Sequence, residues 1–251
     1  MATILAIHAH PDDIEHLCAG TLALLAQAGH TVRMVTATAG ECGSAGTDLA
    51  ATGAIRKAEA TAAAARIGAE YRCAALPDLG VFNDDLSRRR ITEMLRWSQA
   101  EIVLTASPAD YHPDHEAISV LVRDACFAVS VPNYATGPSA PMAAIPHLYF
   151  MDPIRGRDRD GTPVVPHFAV DISDVFETKA AMLSEHESQH AWVAQQHAIT
   201  DHLASMREWS AKRGRDFGCT FAEGFRQYTH TPYPRTPRLQ DLLAGALRAS
   251  S

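Results

Sequence analysis

Two short segments carry most of the chemistry this chain can do. The first is Ile7-His8-Ala9-His10-Pro11-Asp12-Asp13, and the second is Asp110-Tyr111-His112-Pro113-Asp114-His115. Each follows an apolar run, Thr3 to Ile7 in one case and Glu101 to Ala106 in the other, and each precedes a helical pattern. In an open α/β sheet, ligands gather beyond the carboxyl ends of the strands, so both clusters lie where a functional crevice forms. His10 and Asp13, three residues apart across a strand-to-helix turn, can chelate one ion, and His115 supplies a third ligand from the second strand tip. Two imidazole nitrogens, one carboxylate oxygen and an open position suit catalytic Zn²⁺, one per chain, and Fe²⁺ accepts a similar set.

Simpler readings compete at each position. Asp12 or Asp13 could do no more than cap the helix that starts at Ile14. His112 could be an ordinary turn histidine, although Pro113 fixes the backbone between it and His115. His8 shares a strand face with His10 by alternation, and a buried histidine satisfied by hydrogen bonds explains it better than a fourth ligand.

The elements that must hold these residues alternate regularly. Ile4 to Ile7, Val32 to Thr36, Tyr71 to Leu76, Ile102 to Thr105, His147 to Met151 and Phe168 to Asp171 read as buried strands. Ile14 to Ala28, Ile55 to Ile67, Ile91 to Ser98, Glu116 to Ala128, Val175 to Gln189 and His202 to Arg213 read as helices. This rhythm predicts a doubly wound α/β fold, a mostly parallel sheet flanked by helices. Gly40 to Ala50, Val131 to Pro146 and Asp152 to Pro166 read as long loops of the kind that form site walls or lids. From Tyr228 onward the Pro-rich stretch predicts a C-terminal arm (228–251) on a single domain spanning 1–251.

Composition narrows the function. At 251 residues and 47% hydrophobic, the chain can bury a large core. Its net charge of -7 and pI near 6.0 argue against nucleic-acid or membrane-surface binding and favour a small-molecule substrate. No signal peptide, membrane span or anchor is evident. Cys18, Cys42, Cys73, Cys126 and Cys219 show no C-x-x-C spacing, which is consistent with reduced cysteines and a cytoplasmic location.

Ala9 to Asp13 (AHPDD) with His112 to His115 (HPDH) resembles the LmbE-like, PIG-L family of metal-dependent de-N-acetylases. The resemblance implies a Rossmann-like fold, a single zinc and hydrolysis of an amide, most simply de-N-acetylation of an amino sugar or glycoconjugate. Amidases acting on thiol conjugates or antibiotic acyl amides are the alternative within the family. By motif, His10, Asp13 and His115 resemble the zinc ligands and Asp12 the general base. His112 resembles the group that stabilises the oxyanion or assists the leaving amine, with Asp114 orienting it. Arg56 and Asp78 match positions that contact substrate hydroxyls in sugar-deacetylating relatives. Read without the family, Arg56 is a helix charge or a partner of Glu59, and Asp78 a turn residue. Tyr111 is within reach of the oxyanion from beside His112, although the aromatic of some relatives is placed differently. His186-Glu187-Ser188-Gln189 resembles a late family motif. Relatives that assemble as trimers or hexamers, together with the Pro-rich loop and arm, imply a homo-oligomer.

The same roles follow from chemistry. A zinc ion lowers the pKa of its water toward about 7, an unligated carboxylate can take the proton, and the tetrahedral oxyanion needs a donor. A dinucleotide-binding oxidoreductase is disfavoured, because two carboxylates stand where G-x-G-x-x-G would cradle a pyrophosphate. A non-catalytic metal module would close all four positions with protein ligands.

Overall fold

A computed structural model describes residues 1–189 and 201–248. Its strands are β1 (Thr3–His8), β2 (Thr31–Thr38), β3 (Glu70–Leu76), β4 (Ile102–Thr105), β5 (His147–Met151), β6 (Phe168–Asp171), β7 (Ala222–Tyr228) and β8 (Leu247–Arg248). They form one sheet in the order β3-β2-β1-β4-β5-β7-β6-β8. The first five are parallel, and every pairing from β5 to β8 is antiparallel.

β1 lies inside the parallel half because both of its faces are apolar. Ile4 and Ala6 point into one core, Leu5 and Ile7 into the other. Continuous apolar runs are what a parallel strand covered on both faces requires. The helices are α1 (Asp13–Leu17), α2 (Ala19–Gln27), α3 (Leu49–Ala65), α4 (Asp85–Ser98), α5 (Pro113–Ala128), α6 (Phe176–Ser184), α7 (His202–Phe217) and α8 (Arg238–Leu242). Residues of α1, α2, α6 and α8 join the Ile4 side; Ile91 and Leu95 of α4 and Ile118, Leu121 and Val122 of α5 join the Leu5 side. This is the doubly wound, mostly parallel fold.

Several boundaries differ from the sequence reading. The pattern from Ile14 to Ala28 is two helices, broken at Cys18 (φ −143°, ψ 8°). α3 starts six residues before Ile55, where the Asp48 carboxylate accepts from the Ala51 N–H at 2.8 Å, and Asp84 caps α4 in the same way through Ser87. The pattern from Val175 to Gln189 gives α6 only as far as Ser184. β7 was absent from the reading altogether. Its sequence, AEGFRQY, has no apolar run, and it is accommodated by pairing: buried Glu223 binds Lys179 at 2.6 Å. At Gly224 a Cβ would come within 2.5 Å of the Asp152 carboxylate, so the strand passes there only as glycine. The C-terminal segment is more than an arm. Tyr233 is buried, Leu239 and Leu243 enter the core, and Leu247 pairs with Val170 of β6.

β1 and β4 are hydrogen-bonded neighbours, and the strand order reverses between them, with β2 and β3 to one side and β5 to the other. Their carboxyl ends therefore open on the topological switch point of the sheet, the crevice in which such folds bind ligands.

Candidate metal centre and active site

The turn after β1 is held from three directions. The Thr38 N–H donates to the Ala9 carbonyl at 2.9 Å, tying the turn to β2. Arg56 reaches in from α3 and donates to the carbonyls of Pro11 (2.7 Å) and Gly40 (2.8 Å), with its guanidinium 3.5 Å from the Asp12 carboxylate. Gly40 has φ +65°, and a Cβ there would overlap Arg56. Asp12 itself sits at φ 94°, a left-handed conformation unfavourable for a residue with a side chain, and it makes no side-chain cap bond to α1. Capping therefore does not explain it.

His10, Asp13 and His115 share one arrangement: each has one polar atom braced by a buried partner and another facing the group. The His8 Nδ1–H donates to Asp13 Oδ2 at 2.7 Å, and the His10 backbone N–H donates to the same oxygen at 2.8 Å. Asp13 Oδ1 lies 3.3 Å from His115 Nε2. On its other side, His115 Nδ1 lies 3.2 Å from Asp110 Oδ1. His10 Nδ1 is 3.3 Å from Asp13 Oδ2, while His10 Nε2 is 3.1 Å from Asp78 and 3.3 Å from Asp114. Imidazoles backed by carboxylates are the outer-shell pattern that fixes ring orientation at metal sites.

His112 caps α5. Its Nδ1 accepts from the Asp114 N–H at 3.2 Å, so the neutral ring carries its proton on Nε2. Burial, with the neighbouring His115 and His10, lowers His112 to about 4, so the ring is neutral near pH 7. Its centroid lies 4.7 Å from that of His115 and 4.8 Å from that of His10. The expectation that Asp114 orients His112 holds only through the backbone. The Asp114 carboxylate turns instead toward His10 and accepts from the N–H groups of Leu79 (2.8 Å) and Val81 (3.4 Å).

Electrostatics favour positive charge within the cluster. Burial opposes charge on His10 and His115, yet the carboxylates of Asp114, Asp13 and Asp78 carry His10 well above the usual imidazole range. Asp13 and Asp110 likewise raise His115 to about 9. Burial works to raise the Asp13 carboxyl, but His115, His8 and His10 hold it well below its usual range. Converging carboxylates that draw positive charge onto buried imidazoles fit a divalent ion. Donor atoms of His10, His112 and His115 lie within 4.8 Å of one another, as do those of His8, Asp13 and His115. His112 is thus near enough to compete with Asp13 as a ligand, and donor atoms of His10, Asp78 and Asp114 form a third such group among the described residues.

A cavity of about 250 Å³ opens on this cluster, and Asp12, Arg56, Asp78 and Tyr111 all line it. Arg56 is buried and does not pair with Glu59, which instead accepts from Ser188. Asp78 Oδ2 accepts from the Cys42 N–H at 2.9 Å while Oδ1 faces His10, which is more than a turn residue does. Tyr111 is 45% exposed, with its ring 5.7 Å from those of His112 and His115.

The sequence reading assigned no role to Asp110 or to a second group of lining residues. Asp110 is fully buried; besides facing His115, it accepts from the His112 N–H (3.2 Å) and from the Ile154 N–H (3.3 Å). Its position two residues before His112 was the available signal. His16, Ile154, Gln189, His202 and Ser205 also line the cavity, and they come from segments with no motif to mark them except the His186–Gln189 stretch. In that stretch buried His186 lies 3.3 Å from Glu15, and Gln189 donates to the Gly43 carbonyl at 3.1 Å.

Comparison with known proteins adds an independent line. Residues 5–126 match the PIG-L family, described as GlcNAc-PI de-N-acetylase. A 1D-myo-inositol 2-acetamido-2-deoxy-alpha-D-glucopyranoside deacetylase of Nakamurella multipartita is 45% identical over 92 residues, 33% of this chain and 31% of that protein. The chain thus matches about a third of that relative's length. The diacetylchitobiose deacetylase of Thermococcus kodakarensis is 29% identical over 202 residues, 74% of this chain and 69% of that protein. Among solved structures, the N,N'-diacetylchitobiose deacetylase from Pyrococcus horikoshii superposes with a TM-score of 0.76 at 23% identity, covering 93% of this chain and 86% of that one. GalB, the 4-carboxy-2-hydroxymuconate hydratase from Pseudomonas putida KT2440, superposes at 0.73 with 22% identity, covering 94% and 100%. Those two likenesses show the fold, and the fold alone does not choose the reaction.

Proposed function

We propose that this chain, whose residues 5–126 belong to the PIG-L family, is a metal-dependent amide hydrolase that removes the N-acyl group of an amino sugar or glycoconjugate. The observation that carries the reading is the bracing of His10, Asp13 and His115, each with one donor tied to a buried partner and one turned inward. These three residues would hold the ion, and two nitrogens with one oxygen favour Zn²⁺, with Fe²⁺ the second choice. When bound, the ion supplies Lewis acidity and lowers the pKa of a coordinated water toward about 7.

The remaining steps fall to the chain's own groups. The Asp12 carboxylate, held beside Arg56 and outside the ligand set, accepts the proton of the attacking water and returns it to the departing amine. His112 donates its Nε2–H to the oxyanion that develops on the carbonyl, and its neutral state keeps that donor defined. Asp78, Asp110, Asp114 and His8 fix the orientation of the ligands. Arg56 and Asp78 are already engaged by protein partners. We assign them first to holding Asp12 and His10 and second, with Tyr111, to substrate hydroxyls that enter the cavity.

The test is direct. Zinc-loaded protein is incubated with a panel of N-acyl amino sugars and amides, thiol conjugates included, and the freed amine is measured beside an Asp12→Asn variant. We expect amine release from at least one N-acetyl amino sugar and a loss of about 10²–10⁴-fold in the variant at unchanged metal content. No release from a fully metal-loaded protein, or an undiminished rate in the variant, overturns the reading.

We also take the chain to be a homo-oligomer. The long 131–146 loop, with exposed Phe127 and Val131 at the end of α5, supports this. A single 27.1 kDa species in sedimentation at micromolar concentration rejects it. A cytoplasmic location rests on the five free cysteines. Among the described residues no helix is long and apolar enough to cross a membrane.

A further inference from the structure

Outside the two motifs, the polar lining of the cavity includes Gln189, Ser205 and the rings of His16 and His202, stacked with centroids 5.5 Å apart. Among the described residues its aliphatic lining is Leu79 and Ile154. Resting on the amide-hydrolase reading, we infer that Ile154 is the wall against which the acyl group of the substrate lies, and that this side chain limits the acyl group to a short chain.

The sheet sets out the cavity from end to end. Its parallel strands stand in the order β3-β2-β1-β4-β5, and the lining follows their carboxyl ends: Leu79 after β3, Cys42 after β2, Asp12 after β1, His112 after β4 and Ile154 after β5. The two aliphatic residues are therefore at opposite ends. The roles proposed above orient the amide along this row. Its oxygen faces the His112 Nε2–H, its nitrogen faces Asp12, and the sugar continues from the nitrogen toward Arg56, which is bonded to the Gly40 carbonyl beyond β2, and toward Asp78 beyond β3. The remaining substituent of the trigonal carbon is the acyl chain. It points the other way, toward β5, and meets Ile154.

Ile154 is fastened to the reacting groups. Its N–H donates to the Asp110 carboxylate at 3.3 Å, and that carboxylate lies 3.2 Å from His115 Nδ1 and accepts from the His112 N–H at 3.2 Å. Behind the cavity, the half-buried Ile154 side chain packs on the core of the Ile4 side. The backbone is pinned as well. The Gly156 N–H donates to the Pro153 carbonyl at 2.8 Å, the Val164 N–H donates to the Gly156 carbonyl at 2.9 Å, and a Cβ on Gly156 would collide with Trp209. A long acyl chain must therefore displace Ile154 from a packed wall, which costs more than burial of the added methylenes returns.

Two measurements test the assignment on metal-loaded wild-type, Ile154→Val, Ile154→Ala and Leu79→Ala proteins, each checked for folding by circular dichroism. Titration calorimetry uses acetohydroxamic, butyrohydroxamic and hexanohydroxamic acids, metal-chelating amide analogues that differ in acyl length and need no turnover. Amine release is followed from N-acetyl-, N-butyryl- and N-hexanoylglucosamine. From acetyl to hexanoyl, both affinity and kcat/KM should fall in wild type by about tenfold or more, the discrimination that a tight apolar wall exerts against added methylenes. Ile154→Ala should remove most of that fall, Ile154→Val part of it, and Leu79→Ala none. Equal affinities across chain lengths in wild type, a fall that persists in Ile154→Ala, or one relieved by Leu79→Ala instead overturns the inference; the last outcome would turn the acyl chain toward β3. Should Ile154→Ala fail to fold, Ile154→Val decides, and an unchanged ratio there overturns the inference. Discrimination among the hydroxamic acids without amine release from any sugar overturns the hydrolase reading and leaves the wall standing, whereas amine release without discrimination overturns the wall alone.

Discussion

The two halves of the molecule build the cavity by different means. In the parallel half, β1 and β4 are neighbours whose tips deliver His10, Asp12, Asp13, His112 and His115 as two compact motifs. In the half from β5 onward, where pairing turns antiparallel, Ile154, His202 and Ser205 reach the same cavity singly, from a loop and a helix. The contrast is between a compact cluster and a dispersed wall. Metal chemistry needs several donors at fixed spacing, so it is written locally, whereas a substrate wall needs only one side chain from each of several elements.

The largest expected effect lies in the motif half. His115→Ala should lose the bound metal, measured by elemental analysis, and with it about 10⁴-fold of activity, since the Lewis acid supplies several kcal/mol. Full metal occupancy in that variant would break the division of labour at its root. The next is a stability effect in the other half. Among the described residues, Lys179→Met leaves Glu223 buried with only the N–H groups of Gly20 and Thr21 and the Thr21 hydroxyl as partners. Urea denaturation should show a loss of about 3–5 kcal/mol with the metal retained. A loss under about 1 kcal/mol would mean that the α2 N-terminus alone satisfies the carboxylate.

His112→Ala sharpens the comparison within the motif half. With metal content unchanged, kcat should fall by about 10²–10³-fold while KM moves little. Loss of metal would instead make His112 a ligand in the place of Asp13, as the proximity of its donor atoms to those of His10 and His115 allows. The smallest effect belongs to Asp110→Asn, expected to weaken metal affinity by about 10–100-fold in competition with a chelator. Unchanged affinity would show that His115 is oriented by its packing alone.

Legibility in the sequence followed apolar patterning and motif spacing rather than the divide between the halves. β4, β5 and β6 could be read to the residue because each is an apolar run buried on the sheet, and AHPDD and HPDH announced the centre. β7 was invisible because what buries it is a salt bridge and a glycine against Asp152, and neither produces periodicity. The split at Cys18 left no mark because no proline or glycine occupies the break. The family resemblance paired Asp114 with His112, which it meets through its backbone N–H, whereas the fold turns its carboxylate toward His10, 104 residues away. His16 and His202 could not have been paired by any spacing rule.

Among the contacts between the two halves, one runs through the centre itself. The Asp110 carboxylate faces His115 with one oxygen and grips the Ile154 amide with the other. Two events that draw on one side chain are not independent. If an ion at His115 stiffens Asp110, the loop bearing Ile154 and Arg155 is ordered in the same act, and reciprocity requires that whatever settles on that loop tightens the ion by the same factor. The cavity then behaves as a cooperative unit in which occupancy of the centre and readiness of the loop are one equilibrium seen from its two ends.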